Sequence, residues 1–180
     1  MLKKFFFLLL LVVFAIIVFA VYLGVFNEIK MEEKQEGGYV IAGYDVLGPY
    51  SMAGKSMSDV DVKVRNAGLQ LTMGLGIYYD DPKVVPPQKC RSFIGFILDK
   101  QSLNKITDLK TAGLKVDTIL PASSVVAEFP LKNNLSYMIG PMKVYPVFST
   151  YMNQKRYKPA LSFEIYDKLH DKIVFVMQYE

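Results

Sequence analysis

Apolar and polar positions are distributed unevenly along the chain. From residue 5 to residue 26 neither a charge nor a proline interrupts a 22-residue apolar run. As a helix rising ~1.5 Å per residue, such a run covers roughly 33 Å, enough for a hydrocarbon core of ~30 Å. A cleavable leader is the competing reading, since Lys3-Lys4 resembles its basic start. Leaders, however, have a shorter apolar stretch and end at a small-x-small site, whereas this run ends in Tyr22-Leu23-Gly24-Val25-Phe26. The expectation is an uncleaved transmembrane anchor, or signal-anchor, over residues 5–26. Residues 27–36 are polar and read as a juxtamembrane linker.

Beyond Gly37-Gly38 the pattern shortens into strand and helix lengths. Tyr39–Leu47 reads as a strand closed by Gly48-Pro49. Residues 50–67 place Met52, Met57, Val60, Val64 and Ala67 at helical spacing before Gly68. Residues 71–79 and 90–98 read as strands, with a proline-rich loop between them. The order then recurs. A short helix over 102–112 and an extended stretch over 115–120 precede a strand over 123–131. A helix follows over 134–153, in which Gly140-Pro141 and Pro146 predict a kink or a late start. Residues 161–166 and 173–179 form a closing hairpin around 167–171. The pattern is strand-helix-strand-strand, twice, an α+β class with an antiparallel sheet. Ile77-Tyr78-Tyr79-Asp80 and Glu164-Ile165-Tyr166-Asp167 match the two repeats, with Tyr79 set against Tyr166.

Composition sharpens this division. Hydrophobic residues make up 52% of the 180, but 23 of the first 26 are among them, so the remainder has an ordinary globular content. Residues 37–180 are enough for one domain with its own core. The single cysteine, Cys90, excludes a disulfide framework, and the single histidine, His170, leaves no zinc-ligand set and falls in a turn. Cys90 beside Lys89 and Arg91 reads as a small residue at a strand start, with the cations meeting Asp80 or Asp81. The net charge of +4 is spread without a run, so no nucleic-acid partner is expected. Lys3 and Lys4 before the span, against Glu28, Glu32, Glu33 and Glu36 after it, place the N-terminus in the cytoplasm and the domain across the membrane, in the periplasm if the source is bacterial.

One strand carries the best candidate chemistry. Period-two alternation puts Leu161, Phe163 and Ile165 on one face and Ser162, Glu164 and Tyr166 on the other. A mid-strand carboxylate is either solvated on an open face or held in a pocket, where its charge needs a tyrosine hydroxyl or a cationic ligand as partner. Tyr78, Tyr79 and Tyr44 are further strand aromatics, suited either to packing or to the wall of a groove for amphiphiles.

Three strings together resemble a known family. YYDDPKVVPPQKCRSFIGFIL at 78–98, VIAGYDVLGPY at 40–50 and LSFEIYDK at 161–168 are similar to the GyrI-like small-molecule-binding family, over about residues 37–180. Within the family, the chain resembles the membrane-anchored reticulophagy-receptor branch. The resemblance implies a duplicated β-α-β-β fold with a groove between the repeats. It also implies that Glu164 serves a pocket, because related effector-binding domains use an acidic residue at this strand to attract lipophilic cations.

The function so implied is membrane-anchored, non-catalytic binding of a small amphipathic or cationic molecule. Its ligand residues would be Glu164, Tyr166, Ser162, Tyr79, Tyr78 and Tyr44, with no cofactor and no metal. A membrane-tethered adaptor for a protein partner is the alternative, and a hydrolase of small electrophiles the third reading. The receptor branch carries an acidic, disordered autophagy-binding tail that these residues lack, so that activity is not expected of them. No DNA-binding helix pair precedes the domain, so a transcription role is not expected either. The same branch implies an alternative location, the endoplasmic-reticulum membrane with a cytosolic domain.

Overall fold

The computed structural model describes residues 2–26 and 28–180; Asn27, in the expected linker, lies outside the described residues. Helix α1 (Leu2–Tyr22) is exposed along its length and is long and apolar enough to cross a membrane. The rest consists of strands β1 (Met31–Glu36) and β2 (Tyr39–Leu47), helix α2 (Ala53–Asn66), strands β3 (Met73–Tyr78) and β4 (Arg91–Ile97), and short helix α3 (Ile106–Thr111). Strands β5 (Lys115–Ile119) and β6 (Ala122–Pro130), helix α4 (Ser136–Lys155) and hairpin strands β7 (Pro159–Asp167) and β8 (Lys172–Tyr179) complete it.

All eight strands join one antiparallel sheet in the order β1-β6-β8-β7-β3-β4-β2-β5. The order reads the same from either end when the first unit, β1-β2-α2-β3-β4, is exchanged for the second, β5-β6-α4-β7-β8. The expected α+β fold with a duplicated strand-helix-strand-strand order is therefore present, and each unit gains one leading strand. Those leading strands are exchanged: β1 pairs with β6 of the second unit, and β5 with β2 of the first.

The exchange requires two chain reversals to cross closely. Gly37 and Gly38 have φ of +132° and +77°, and a Cβ on Gly37 would sit 2.3 Å from the Leu120 carbonyl oxygen. Only glycine meets both demands. The Gly38 amide donates to the Ile119 carbonyl at 2.7 Å. The buried Gln178 side chain on β8 then donates Nε2–H bonds to the Glu36 and Leu120 carbonyls, at 2.9 and 3.0 Å.

Three apolar groups hold the sheet and helices. Strand residues alone build one, centred on Ile41, Leu75, Phe93, Phe163 and Val176. On the helical side, α4 buries Ser136, Gly140, Val144, Phe148 and Met152, and α2 buries Ser56, Val60 and Val64. Each set recurs every fourth residue, the stripe that a helix presents to a sheet.

One expectation is corrected. Most of the linker is strand β1, whose Met-Glu-Glu-Lys-Gln-Glu sequence has no apolar alternation because, as an edge strand, it exposes nearly every side chain. Its backbone ladder to β6 and the tyrosines that reach Glu33 hold it instead. Helix α4 runs through Pro141 and Pro146 as one element. The carbonyls that lose an N–H partner belong to Tyr137 and Met142, both exposed to solvent, and the buried stripe supplies the stability that the prolines remove.

Replacing Gln178 with Leu strips both crossover carbonyls of a donor while keeping most of the side-chain volume. We expect a loss of about 2 kcal/mol, read as a lower urea midpoint with an unchanged slope.

Candidate functional site

At the centre of the sheet, β3 lies against β7 with Gly76 opposite Glu164 and Gly74 opposite Tyr166. The approximate two-fold relation between the units passes through this pairing. Counting two residues on from Gly76 and from Glu164 matches Tyr78, rather than the expected Tyr79, with Tyr166. The glycines make room for these rings: a Cβ on Gly76 would lie 2.8 Å from the Tyr78 hydroxyl, and one on Gly74 3.4 Å from the Tyr166 ring.

Glu164 is 3% exposed. Its Oε1 accepts a hydrogen bond from the Tyr145 hydroxyl on α4 at 2.8 Å, and its Oε2 accepts one from Tyr166 at 2.9 Å. The Tyr166 and Tyr78 hydroxyls stand 2.7 Å apart, so the network runs Tyr145–Glu164–Tyr166–Tyr78. Ser162 touches its edge, with its hydroxyl 3.5 Å from that of Tyr145. Aromatic rings close the site from above. Tyr50 meets Tyr78 edge-on at 4.8 Å, Tyr137 meets Tyr166 at 5.5 Å, and Tyr145 leans on Phe175 at 5.8 Å.

Among the described residues no Lys, Arg or His pairs with Glu164. Burial therefore raises its pKa from the ordinary 4.5 to about 7, although the hydrogen bonds from Tyr145 and Tyr166 pull the other way. Burial, and then the nearby Glu164 charge, push Tyr145, Tyr166 and Tyr78 above the usual phenol range. The site is thus a carboxyl that changes charge near neutrality, enclosed by hydroxyls that keep their protons. It can offer a neutral hydrogen-bonding floor or, once ionised, a buried anion that attracts a cation.

The structure unites four of the six expected residues: Glu164, Tyr166, Tyr78 and, at the margin, Ser162. The other two stand elsewhere. Tyr44 donates to the Ser56 carbonyl of α2 at 3.1 Å, with the Lys63 ammonium 5.8 Å from its ring. Tyr79 is half-exposed and borders a surface cavity of about 300 Å³ with Asp45, Leu47 and Arg91.

Tyr145, Tyr137 and Tyr50 join the site without having been singled out. Gly74 and Gly76, spaced by two within a strand, were the available signal for a close approach there. The Arg91 side chain makes a double hydrogen bond to Asp80, at 3.0 and 2.7 Å, as the loop reading anticipated. Cys90 is fully buried, its Sγ 3.6 Å from the Val85 and Pro86 carbonyls. His170 sits in the β7–β8 turn, 2.7 Å from Asp167. No group of metal-ligating side chains occurs among the described residues.

A carboxyl that titrates near 7 when folded and near 4.5 when unfolded binds its proton more tightly in the fold. The stability this contributes is complete below about pH 4.5 and is lost as pH rises through 7. Glu164→Gln should remove that dependence and stabilise the protein at pH 8 by about 3 kcal/mol. Thermal unfolding of both proteins between pH 5 and pH 8 checks this, and parallel curves would contradict it.

No family model matches the chain. Testis-expressed protein 264 from Homo sapiens is 33% identical over 103 residues, and its Mus musculus homolog 31%. In each case the match takes in 53% of this chain and 33% of the relative, so the chain spans about a third of the length of these curated relatives. Among solved structures, the EcmrR C-terminal domain superposes with a TM-score of 0.58 at 14% identity, over 84% of this chain and 98% of that one. EcmrR in a DNA complex gives 0.59 at 13% identity, over 84% of this chain and 57% of that one. An integron cassette protein from Vibrio cholerae gives 0.51 at 13%, over 83% and 95%. The chain is thus similar in sequence over half its length to testis-expressed protein 264, and in fold to the EcmrR C-terminal domain.

Proposed function

We propose that residues 37–180, with β1 as an added strand, form a ligand-binding domain held at a membrane by residues 5–26, and that the ligand is a small amphipathic or cationic molecule received at Glu164. The observation that carries this reading is the buried carboxylate, which lacks a cationic partner among the described residues and is surrounded by tyrosine rings. Burying a charge without a counter-ion is unfavourable, and a ligand cation removes the penalty. The tyrosine faces supply stacking and cation–π attraction to the same ligand. Fold likeness to the EcmrR C-terminal domain and sequence likeness to testis-expressed protein 264 fit this reading. Tyr137 is 40% exposed, the outermost ring over the network, and its rotation is the least disruptive way to open the site.

The ligand acts as a charge partner, so Glu164 must be ionised to receive it. The full chain in detergent, titrated with a fluorescent lipophilic cation, should bind most tightly above pH 7 and lose about tenfold in affinity per pH unit below it. Glu164→Gln should abolish binding, and retention of full affinity in that variant would overturn the assignment.

The present closure of the network, with tyrosine hydroxyls on both carboxylate oxygens, supports a second reading in which the domain is a membrane-tethered adaptor. In that case a stable protein partner is captured equally by the parent chain and by Glu164→Gln. Hydrolysis has less support, because His170 pairs with Asp167 instead of activating a serine or cysteine.

A further inference from the structure

One group of exposed apolar side chains on the domain lies where it meets α1. Leu135, the residue capping the start of α4, and Met138 and Met142 on α4 are 40%, 57% and 69% exposed. Their spacing of three and then four puts them on one stripe, opposite the buried Ser136, Gly140 and Val144. The β7–β8 turn adds Leu169, 72% exposed. This turn is tied to the start of α4, since the Leu131 amide donates to the Asp171 carbonyl at 2.8 Å.

The same end of the domain touches the end of α1. Lys143, one residue beyond Met142, donates to the Gly24 carbonyl at 3.1 Å. Lys132, at the approach to α4, places its ammonium 4.9 Å from the centre of the Tyr22 ring. Lys168 lies beside Leu169 in the turn. An apolar stripe with lysines around it, fixed at the point where an apolar 21-residue helix ends, has the composition of a surface that lies in a bilayer interface. Apolar groups enter the headgroup boundary, and lysines meet lipid phosphates.

We propose that the outer stripe of Leu135, Met138 and Met142 together with Leu169 docks on the membrane surface, with lysines contacting anionic headgroups. The partner is the lipid bilayer that holds α1. This inference rests on the reading of α1 as a span. Docking fixes the orientation of the domain, and it places Tyr137, which neighbours Met138 and covers Tyr166, at the level of the lipid headgroups. An amphipathic ligand therefore reaches the tyrosine-covered site from the interface instead of from bulk water.

The crossover marks the opposite pole. Strand β1 begins at Met31, after α1, and its six residues carry the chain roughly 17 Å to Glu36, beside the 72%-exposed Leu120. Leu120 therefore stays in water when the stripe is docked.

The test uses the full chain with Cys90→Ala, so that one introduced thiol carries an environment-sensitive fluorophore at Met142→Cys, Leu169→Cys or Leu120→Cys. Each protein is reconstituted into vesicles of phosphatidylcholine and phosphatidylserine, with and without brominated acyl chains. The expected result is blue-shifted emission and strong bromine quenching at 142 and 169, several-fold greater than at 120. Vesicle flotation is measured on the same samples. A chain that does not float with vesicles overturns the reading of α1 and the docking together. A chain that floats but shows water-like emission at 142 overturns the docking alone, as does equal quenching at 142 and 120. The double change Met138→Ser/Met142→Ser, far from the core, should shift the label at 169 toward its aqueous emission, and an unchanged spectrum would also overturn the docking.

Discussion

The exchange of leading strands between the two units is the constraint on which the remaining architecture depends. Because β1 pairs with the second unit and β5 with the first, each unit takes its outermost strand from the other, and the chain crosses itself where Gly37-Gly38 meets Leu120-Pro121. With the outer strands committed in this way, the two units have β3 and β7 left to pair at the centre. The Gln178 side chain joins both crossover carbonyls to β8, so the strand that borders β7 is tied to the reversals that define the edges. Helices α2 and α4 then cover the two halves of the sheet separately, and the line between them runs over the β3–β7 seam.

At the seam the two units differ in chemistry. Their equivalent positions carry Gly76 and Glu164, so the approximate symmetry leaves one carboxylate and one vacant Cβ site facing each other. The vacancy is filled by the Tyr78 ring, which brings a second hydroxyl to Tyr166. A carboxylate introduced on both strands would have set two like charges together in a dry space, at several times the penalty of one. The asymmetry thus produces a single ionisable centre surrounded by aromatic surface.

Glu33 offers a contrast, with the same residue types in the opposite setting. It lies on the edge strand β1, accepts a hydrogen bond from Tyr151 at 2.7 Å and stands near Lys155 and the stacked rings of Tyr157 and Tyr179. Its pKa is lowered, chiefly by the Tyr151 hydrogen bond and with a further contribution from the Lys155 charge. Glutamate with tyrosines is therefore not in itself a neutral-pH titrating site. The seam differs in its burial and in having no cation beside its carboxylate among the described residues, and both follow from its central place in the sheet.

Periodicity alone made much of the fold legible. The strand at Tyr39–Leu47, the helix before Gly68, the closing hairpin and the duplicated order all come from apolar spacing, since burying one face of a helix or strand requires that spacing wherever the element packs. Strand β1 escaped because an edge strand with both faces exposed needs no apolar alternation. Helix α4, expected over 134–153, forms over Ser136–Lys155 because its buried every-fourth-residue stripe outweighs two prolines whose unpartnered carbonyls belong to exposed residues. Alternation also put Ser162, Glu164 and Tyr166 on one face, but it could not decide whether that face was wet. That depended on Tyr145 arriving from α4, on Tyr78 leaning over Gly76, and on β3 pairing with β7 in one particular register. The sequence by itself determined which side chains could share a surface. Only the tertiary structure decided that Glu164 loses its water and titrates near 7, because desolvation is produced by groups distant along the chain and exists only once they have met.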